Sequence, residues 1–236
     1  ELGTGGMGKV YKAKHTKLNR TVALKVMKPE FAEQDPDHAV RLQREAQAAA
    51  QLIHPNVVTL FSVGEHEGLA YIEMEYIPGP SAGSMVEDRG PLDLELAVQV
   101  LRDSAAGLGA AHKLRIVHRD IKPANVLLDE DQKPILADFG LARMLESSIR
   151  LTQASQALGT PEFMSPEQAM GGDTDHRSDI YAFGVMLYQM LVGQTPFRAD
   201  TPAATLMAHV HRPVPLPSLL NANIEPGIEA IILKAL

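Results

Sequence analysis

The sequence contains no cysteine and no tryptophan. The first absence removes disulfides and thiolate metal sites, and it fits a reducing compartment. The second, with aromatic residues at only 5%, argues against recognition of nucleic acid by stacked bases. Positive charge is also scarce. The formal net charge is −7 and most of the acidity lies beyond Ile77, so neither nucleic acid nor an anionic membrane is an expected partner. Long hydrophobic runs are missing too. The most apolar stretch, Ile180 to Val192, is broken by Gly184 and Gln189; it falls short of the roughly 20 residues that span a bilayer and reads as a buried core helix. Glu1-Leu-Gly-Thr-Gly-Gly has neither the basic start nor the apolar run of a secretory signal, so a cytoplasmic location is expected. There are no internal repeats. Leu2 enters a glycine loop at once, and the helical run Ile231–Leu236 stops mid-pattern, which reads as a domain trimmed at both ends.

What is present suits a globular chain with a sizeable core: 236 residues, 45% of them hydrophobic, allow one large domain or two lobes. Residues 1–28 read as strand, glycine turn, strand, strand. In Val22-Ala-Leu-Lys-Val26, Val22, Leu24 and Val26 share one face while Ala23 and Lys25 share the other. A helix follows, capped by Asp35 with Pro36 in its first turn and stopped by His54-Pro55. Its apolar stripe is expected at Leu42, Ala46, Ala49 and Ile53, with Glu45 at the stripe's edge. Strands are expected around 57–63 and 69–76, and the turn-rich stretch Pro78-Gly-Pro-Ser-Ala-Gly-Ser84 reads as a hinge. Beyond it the pattern predicts a helix over 93–112, short strands at 126–128 and 134–137, a long loop to about Pro166, and helices to the end. The expected architecture is α+β and bilobal: a small β-rich lobe over residues 1–77 and a larger mainly helical lobe over 78–236.

Gly3-Thr-Gly-Gly-Met-Gly8-Lys-Val10 fits G-x-G-x-x-G-x-V. Such glycines let the backbone approach phosphates and offer N–H donors without obstruction. Alone this is weak, because many tight turns are glycine-rich. A dinucleotide fold would need a helix after the glycines, and Lys9-Val-Tyr-Lys-Ala13 reads as a strand. Lys25 by itself reads as a surface lysine and Glu45 as a solvated helix charge. Together, a carboxylate beside an apolar stripe and a lysine beneath a phosphate loop make natural partners. His118-Arg-Asp120-Ile-Lys122-Pro-Ala-Asn125 is far more specific. Asp120 is suited to accept a hydroxyl proton, Lys122 to neutralise a transferring phosphate, and Asn125 to offer an amide oxygen to Mg²⁺. Asp138-Phe-Gly140 puts a carboxylate at a strand end, and Thr160-Pro-Glu-Phe-Met-Ser-Pro-Glu167 closes the long loop.

This ordered set resembles the eukaryotic-like protein kinases, and the wording Gly159-Thr-Pro-Glu-Phe-Met-Ser-Pro-Glu-Gln168 resembles the bacterial Ser/Thr (Hanks-type) members. The resemblance covers essentially the whole chain. It implies a Ser/Thr protein kinase using ATP and Mg²⁺, acting on protein substrates. Lys25 would hold the α/β-phosphates and pair with Glu45, Asp120 would be the catalytic base with Lys122 beside it, and Asn125 and Asp138 would hold the metal. The nucleotide would meet Leu2, Gly3, Gly5, Gly6 and Gly8, with adenine between Val10 and Ala23 above and Leu127 below. The backbones of Glu75 and Ile77 would bond it, and Met74 would be the gatekeeper. Asp179 would anchor the catalytic loop through backbone N–H groups. Ser147, Ser148, Thr152 and Ser155 are candidate phosphoacceptors near Arg119; the resemblance favours Thr152, with Ser155 kept beside it. Self-association for autophosphorylation is a further expectation, and kinases of this type often continue into a membrane anchor and sensor domains.

Two departures stand out. The usual Leu after the hinge glycine is absent from Gly79-Pro-Ser-Ala-Gly-Ser-Met85, so no ribose contact is assigned. The Arg expected to pair with Glu167 lies beyond Leu236, which leaves Glu167 expected to be unpaired. A catalytically dead binding scaffold of the same fold would lack at least one of Lys25, Asp120, Asn125 and Asp138, and all four are present. A small-molecule phosphotransferase of related fold would not carry the 160–167 segment.

Overall fold

In a computed structural model the chain is described over residues 1–5, 8–29, 50–139 and 160–236. The helix expected after Asp35, with Leu42, Glu45, Ala46 and Ala49, lies outside these residues, as do Gly6, Gly140, Ser147, Ser148, Thr152 and Ser155.

The N-terminal lobe is one antiparallel sheet, formed by β1 (Gly3–Thr4), β2 (Gly8–His15), β3 (Arg20–Met27), β4 (Leu60–His66) and β5 (Leu69–Glu75) in the order β1-β2-β3-β5-β4. Residues 16–19 turn β2 into β3, with Asn19 in the left-handed region that Asn tolerates. Gly68 does the same between β4 and β5. The alternation in β3 is as expected, with Ala23 and Lys25 on one face and Val22, Leu24 and Val26 on the other. Ala23 and Lys25 are buried, while Leu24 and Val26 are half-buried. The face carrying Lys25 is the one covered by the rest of the protein.

Three boundaries differ from expectation. β4 begins at Leu60 rather than near Val57, because Val57 and Val58 are drawn away: Val57 bridges to Leu136 and the Val58 N–H donates to its carbonyl. Ile53, expected on an apolar stripe, is 86% exposed, and its neighbour Leu52 is buried in the core instead. The stretch expected to be all hinge becomes helix after Pro80. Ser81 caps α1 (Ala82–Arg89), its hydroxyl accepting from the Ser84 N–H at 3.0 Å.

The C-terminal lobe is mainly helical. Asp93 caps α2 (Leu94–Lys113), accepting from the Leu96 N–H at 2.9 Å. A 3-10 turn (Pro123–Asn125) leads into the ribbon β6 (Val126–Leu128) and β7 (Pro134–Leu136). After the 3-10 turn Pro161–Phe163 come α3 (Pro166–Ala169), α4 (His176–Val192), α5 (Pro202–His211), α6 (Pro217–Leu220) and α7 (Pro226–Ala235). α4 is apolar nearly all round and lies buried at the centre, the expected outcome for Ile180–Val192. It ends at Gly193, whose φ of 87° only glycine adopts without strain.

Two apolar cores result. The larger joins α1, α2, α4, the ribbon and Ile232 of α7. The smaller joins the sheet to Ile135 and Ala137, so the ribbon is where the lobes meet. No helix among the described residues is long and apolar enough to cross a membrane.

Candidate functional site

Between the sheet and the C-terminal lobe lies a cleft of about 430 Å³, within the size range of small-molecule sites. Its roof carries Leu2, Gly3, Val10 and Ala23, its back Met74 to Ile77, and its floor Asn125, Leu127 and Asp138. These residues come from strands that are remote in sequence, and the sheet register brings them together: Ala23 pairs with Met74 and Val10 with Lys25. The Glu75 N–H already donates to the Thr59 carbonyl, so any help Glu75 gives a nucleobase comes through its own carbonyl.

Not every expected residue lines the cleft. Gly5, Gly8 and Lys25 are outside its lining, Lys25 reaching it through Asp138. The Gly5 N–H donates to the Gly8 carbonyl at 2.9 Å, closing the turn. A Cβ at Gly8 would lie 2.1 Å from the Val26 carbonyl oxygen, so glycine there lets β2 approach β3. Sequence reasoning missed Val58, Ser81, Ser84 and Ala137, which do line it. The sequence signal for Ser81 is its place as a capping hydroxyl just ahead of α1. A second hollow of about 310 Å³, between α2, α4 and α7, is lined by apolar side chains with His112 as its one ionisable group, and carries none of the expected chemistry.

On the floor, the polar side chains form a connected chain. The Lys25 Nζ, 6% exposed, donates to Asp138 Oδ1 at 2.8 Å. Burying an ammonium is costly unless it is paired, and Asp138 supplies the pair across the cleft. Burial works against the charge on Asp138. The Lys25 ammonium, with His118 and Lys122 behind it, outweighs burial and holds the carboxyl below its ordinary value. The neighbouring Ala137 N–H donates to the Asn125 carbonyl at 2.8 Å. Asn125 Nδ2 in turn donates to the Asp120 carbonyl at 2.7 Å and to Asp120 Oδ2 at 3.0 Å. Lys122 Nζ donates to Asp120 Oδ1 at 3.0 Å and to the Thr160 hydroxyl at 2.8 Å. Lys25, Asp138, Asn125, Asp120 and Lys122 are thus brought together. Glu45, the expected partner of Lys25, lies outside the described residues.

The loop bearing Asp120 is anchored from α4. Asp179 is fully buried; its Oδ2 accepts from the His118 N–H at 2.9 Å and its Oδ1 from the Arg119 N–H at 2.8 Å. This is the anchoring expected of it. Oδ2 also lies 2.7 Å from His112 Nε2 of α2, a contact the sequence did not suggest. His118 Nε2 bonds the Ala137 carbonyl at 2.9 Å, and its ring stacks at a tilt on Phe139, centroids 4.6 Å apart. Arg119 and Asp138 have φ of 67° and 65°, strained backbone of the kind that a surrounding network must hold in place.

Glu167, expected to be unpaired, accepts a hydrogen bond from the Ser178 hydroxyl. Burial raises its pKa, but that bond prevails and the net shift is downward.

The donor set also fits a hard divalent cation. Both Asn125 amide protons face Asp120, so its amide oxygen is the atom left for a metal. Asp138 spends Oδ1 on Lys25 and keeps Oδ2. Among the described residues there is no cluster of three or more His, Cys, Asp or Glu. One oxygen each from Asn125 and Asp138 suits Mg²⁺, which takes one or two protein oxygens and completes its shell with water and phosphate.

This fold and this constellation define a protein kinase domain, and the chain belongs to that family: the protein kinase domain family matches residues 1–226. Within it the chain is a Hanks-type Ser/Thr kinase domain related to bacterial PknB-like kinases. It is 39% identical over 240 residues to serine/threonine-protein kinase PknB of Mycobacterium leprae, covering all of this chain and 38% of that protein. It is 40% identical over 241 residues to PknB of Mycolicibacterium smegmatis, with the same coverage. A probable serine/threonine-protein kinase of Clostridium perfringens is 38% identical over 235 residues, covering all of this chain and 34% of the relative. The chain therefore spans little more than a third of the length of these relatives.

Proposed function

We propose that the protein transfers the γ-phosphoryl group of ATP to Ser or Thr hydroxyls of protein substrates, with the cleft between the lobes as its active site and the boundary between them at residues 77–78. Adenine lies between Val10, Ala23 and Leu127, and the phosphates extend under the glycine turn toward Lys25. Asn125 and Asp138 hold Mg²⁺, which when bound neutralises charge on the phosphate oxygens. The substrate hydroxyl oxygen forms the new bond to the γ-phosphorus while the bond to the β-phosphate bridging oxygen breaks. ADP leaves and Asp120 takes the hydroxyl proton. Lys122, between Asp120 and Thr160, stands where charge develops on the transferred group. Thr152 and Ser155 are the proposed regulatory phosphoacceptors, to be sought by mass spectrometry after incubation with ATP.

The reading rests most on one observation: an ammonium, a carboxamide and two carboxylates, from segments 113 residues apart at the extremes, are brought together at the cleft that Asn125 and Asp138 line. Its test is transfer of labelled phosphate from ATP to a generic basic protein, with Mg²⁺ and with EDTA. Asp120→Asn should slow transfer by roughly 10²- to 10⁴-fold with nucleotide binding kept. Near-normal transfer by that variant would remove the base role of Asp120.

A further inference from the structure

Gln168 sits in α3, outside the cleft, and its side chain bonds in two directions. Toward its own helix it completes a cap: the Gln168 N–H donates to the Ser165 hydroxyl at 3.4 Å, while Gln168 Oε1 accepts from the Ser165 N–H at 3.0 Å and from its hydroxyl at 3.2 Å. Away from the helix, Gln168 Nε2 donates to the Arg119 carbonyl at 3.3 Å. The amide orientation follows from the network, because the Ser165 N–H can meet only an acceptor, so the nitrogen must face Arg119.

We propose that Gln168 is a positioning residue for the catalytic loop, fixing the peptide that joins Arg119 to Asp120. Arg119 holds a left-handed φ of 67°, a conformation disfavoured for any residue with a side chain. Its N–H is held from one side by Asp179 Oδ1 at 2.8 Å, and its carbonyl from the other by Gln168. The carbonyl of Arg119 belongs to the same planar peptide unit as the N–H of Asp120. Clamping both flanks sets the rotation about Arg119, and that rotation aims the Asp120 carboxylate. Ser165, fully buried, fixes the helix end from which Gln168 reaches. Lys122 and Thr160 form a second tie between the same two segments, so the substrate-side segment and the catalytic loop are joined on both sides of Asp120.

The proposal rests on the kinase reading, and the experiment separates their failures. Gln168→Glu keeps the acceptor oxygen that caps α3, but sets an oxygen where the donor to Arg119 stood. Gln168→Met loses both cap and bridge. In the full-length protein, Gln168→Glu should keep its thermal midpoint and its KM for ATP, while kcat falls roughly three- to tenfold, the worth of one hydrogen bond. Gln168→Met should lose thermal stability as well. Amide hydrogen exchange at residues 118–120 should be faster in Gln168→Glu, a readout that does not depend on activity. Unchanged exchange there would overturn the proposal whether or not the wild type phosphorylates anything. Unchanged kcat in Gln168→Glu, with loss only in Gln168→Met, would reduce Gln168 to a helix cap and overturn it too. A wild type inactive on every substrate, with exchange altered as expected, would leave the clamp standing and count against the kinase reading.

Discussion

The floor and the roof of the cleft are held by different means. On the floor, Asp120 is fixed by bonds that begin and end within the C-terminal lobe: Asn125 and Lys122 hold its side chain, and Asp179 holds the two residues before it. On the roof, the described partner of Lys25 is Asp138, which belongs to the far lobe. The floor keeps its shape whatever the sheet does. Among the described residues, the bond that places the roof's ammonium is one that exists only while the lobes are together. The proposed phosphoryl transfer would benefit from such a division, since the proton acceptor must be positioned in advance while the nucleotide must still enter and leave.

The sharpest way to break this contrast is to remove the anchor beneath the floor. Asp179→Ala deletes an acceptor fully buried in α4 and strands the N–H groups of His118 and Arg119, besides freeing His112. Each bond to a charged acceptor is worth roughly 1.5–3 kcal/mol and buried donors left unmet add a penalty. A loss of roughly 3 kcal/mol or more in urea denaturation is expected, together with loss of transfer. If Asp179→Ala kept both stability and activity, the floor would not be preorganised in this way.

How far this contrast could be read from the sequence differs between its halves. The floor was legible because its residues sit in contiguous words, His118 to Asn125 and Asp138-Phe139, which the structure brings together. The anchoring by Asp179 followed from the family pattern. The His112 and Gln168 contacts did not, because nothing local in α2 or α3 says which distant backbone a side chain will meet. The roof was legible as strands, since β2 and β3 alternate, and Ala23 and Lys25 share the face that the alternation assigns them. What the alternation left open was which face the lobe below would cover, and it covers Ala23 and Lys25. Val57 and Val58 looked like strand because β-branched residues favour extended chain, but Leu136 claimed them: Val57 bridges to it and the Val58 N–H donates to its carbonyl.

A smaller effect is expected at His209 of α5, which is part of the floor's support yet held by packing. It is buried, its Nδ1 lies 2.7 Å from the Tyr181 hydroxyl, and its ring stands edge-on to Phe197. Burial pushes its pKa down to about 4, partly opposed by the nearby backbone of Glu162 and Pro161. Because the folded value is depressed, the unfolded chain binds more protons between the ordinary 6.5 and about 4. The stability His209 contributes is therefore full above pH 6.5 and lost as pH falls toward 4, up to roughly 3 kcal/mol. His209→Gln cannot titrate, so its stability should fall less steeply over that range than the wild type's. Parallel curves would mean that His209 is not buried neutral.

The smallest stability effect, and the one that best separates roof from floor, is expected for Lys25→Met. The Asp138 side chain is 29% exposed, so losing its cation leaves a carboxylate that water can still reach. The loss at neutral pH should be about 1 kcal/mol or less. Its pH dependence follows from the sign of the shift. Asp138 is held below its ordinary value in the folded protein, so it adds stability above that value and loses it as the solution is acidified through the lowered one. Lys25→Met should erase that part of the acid limb while leaving hydrogen exchange at residues 118–120 untouched, because none of the bonds holding the loop passes through Lys25. Transfer should nevertheless be abolished, since a methionine cannot meet phosphate charge. A variant whose catalytic loop loosened along with its activity would show that roof and floor are one cooperative unit, and the division of labour between them would have to be abandoned.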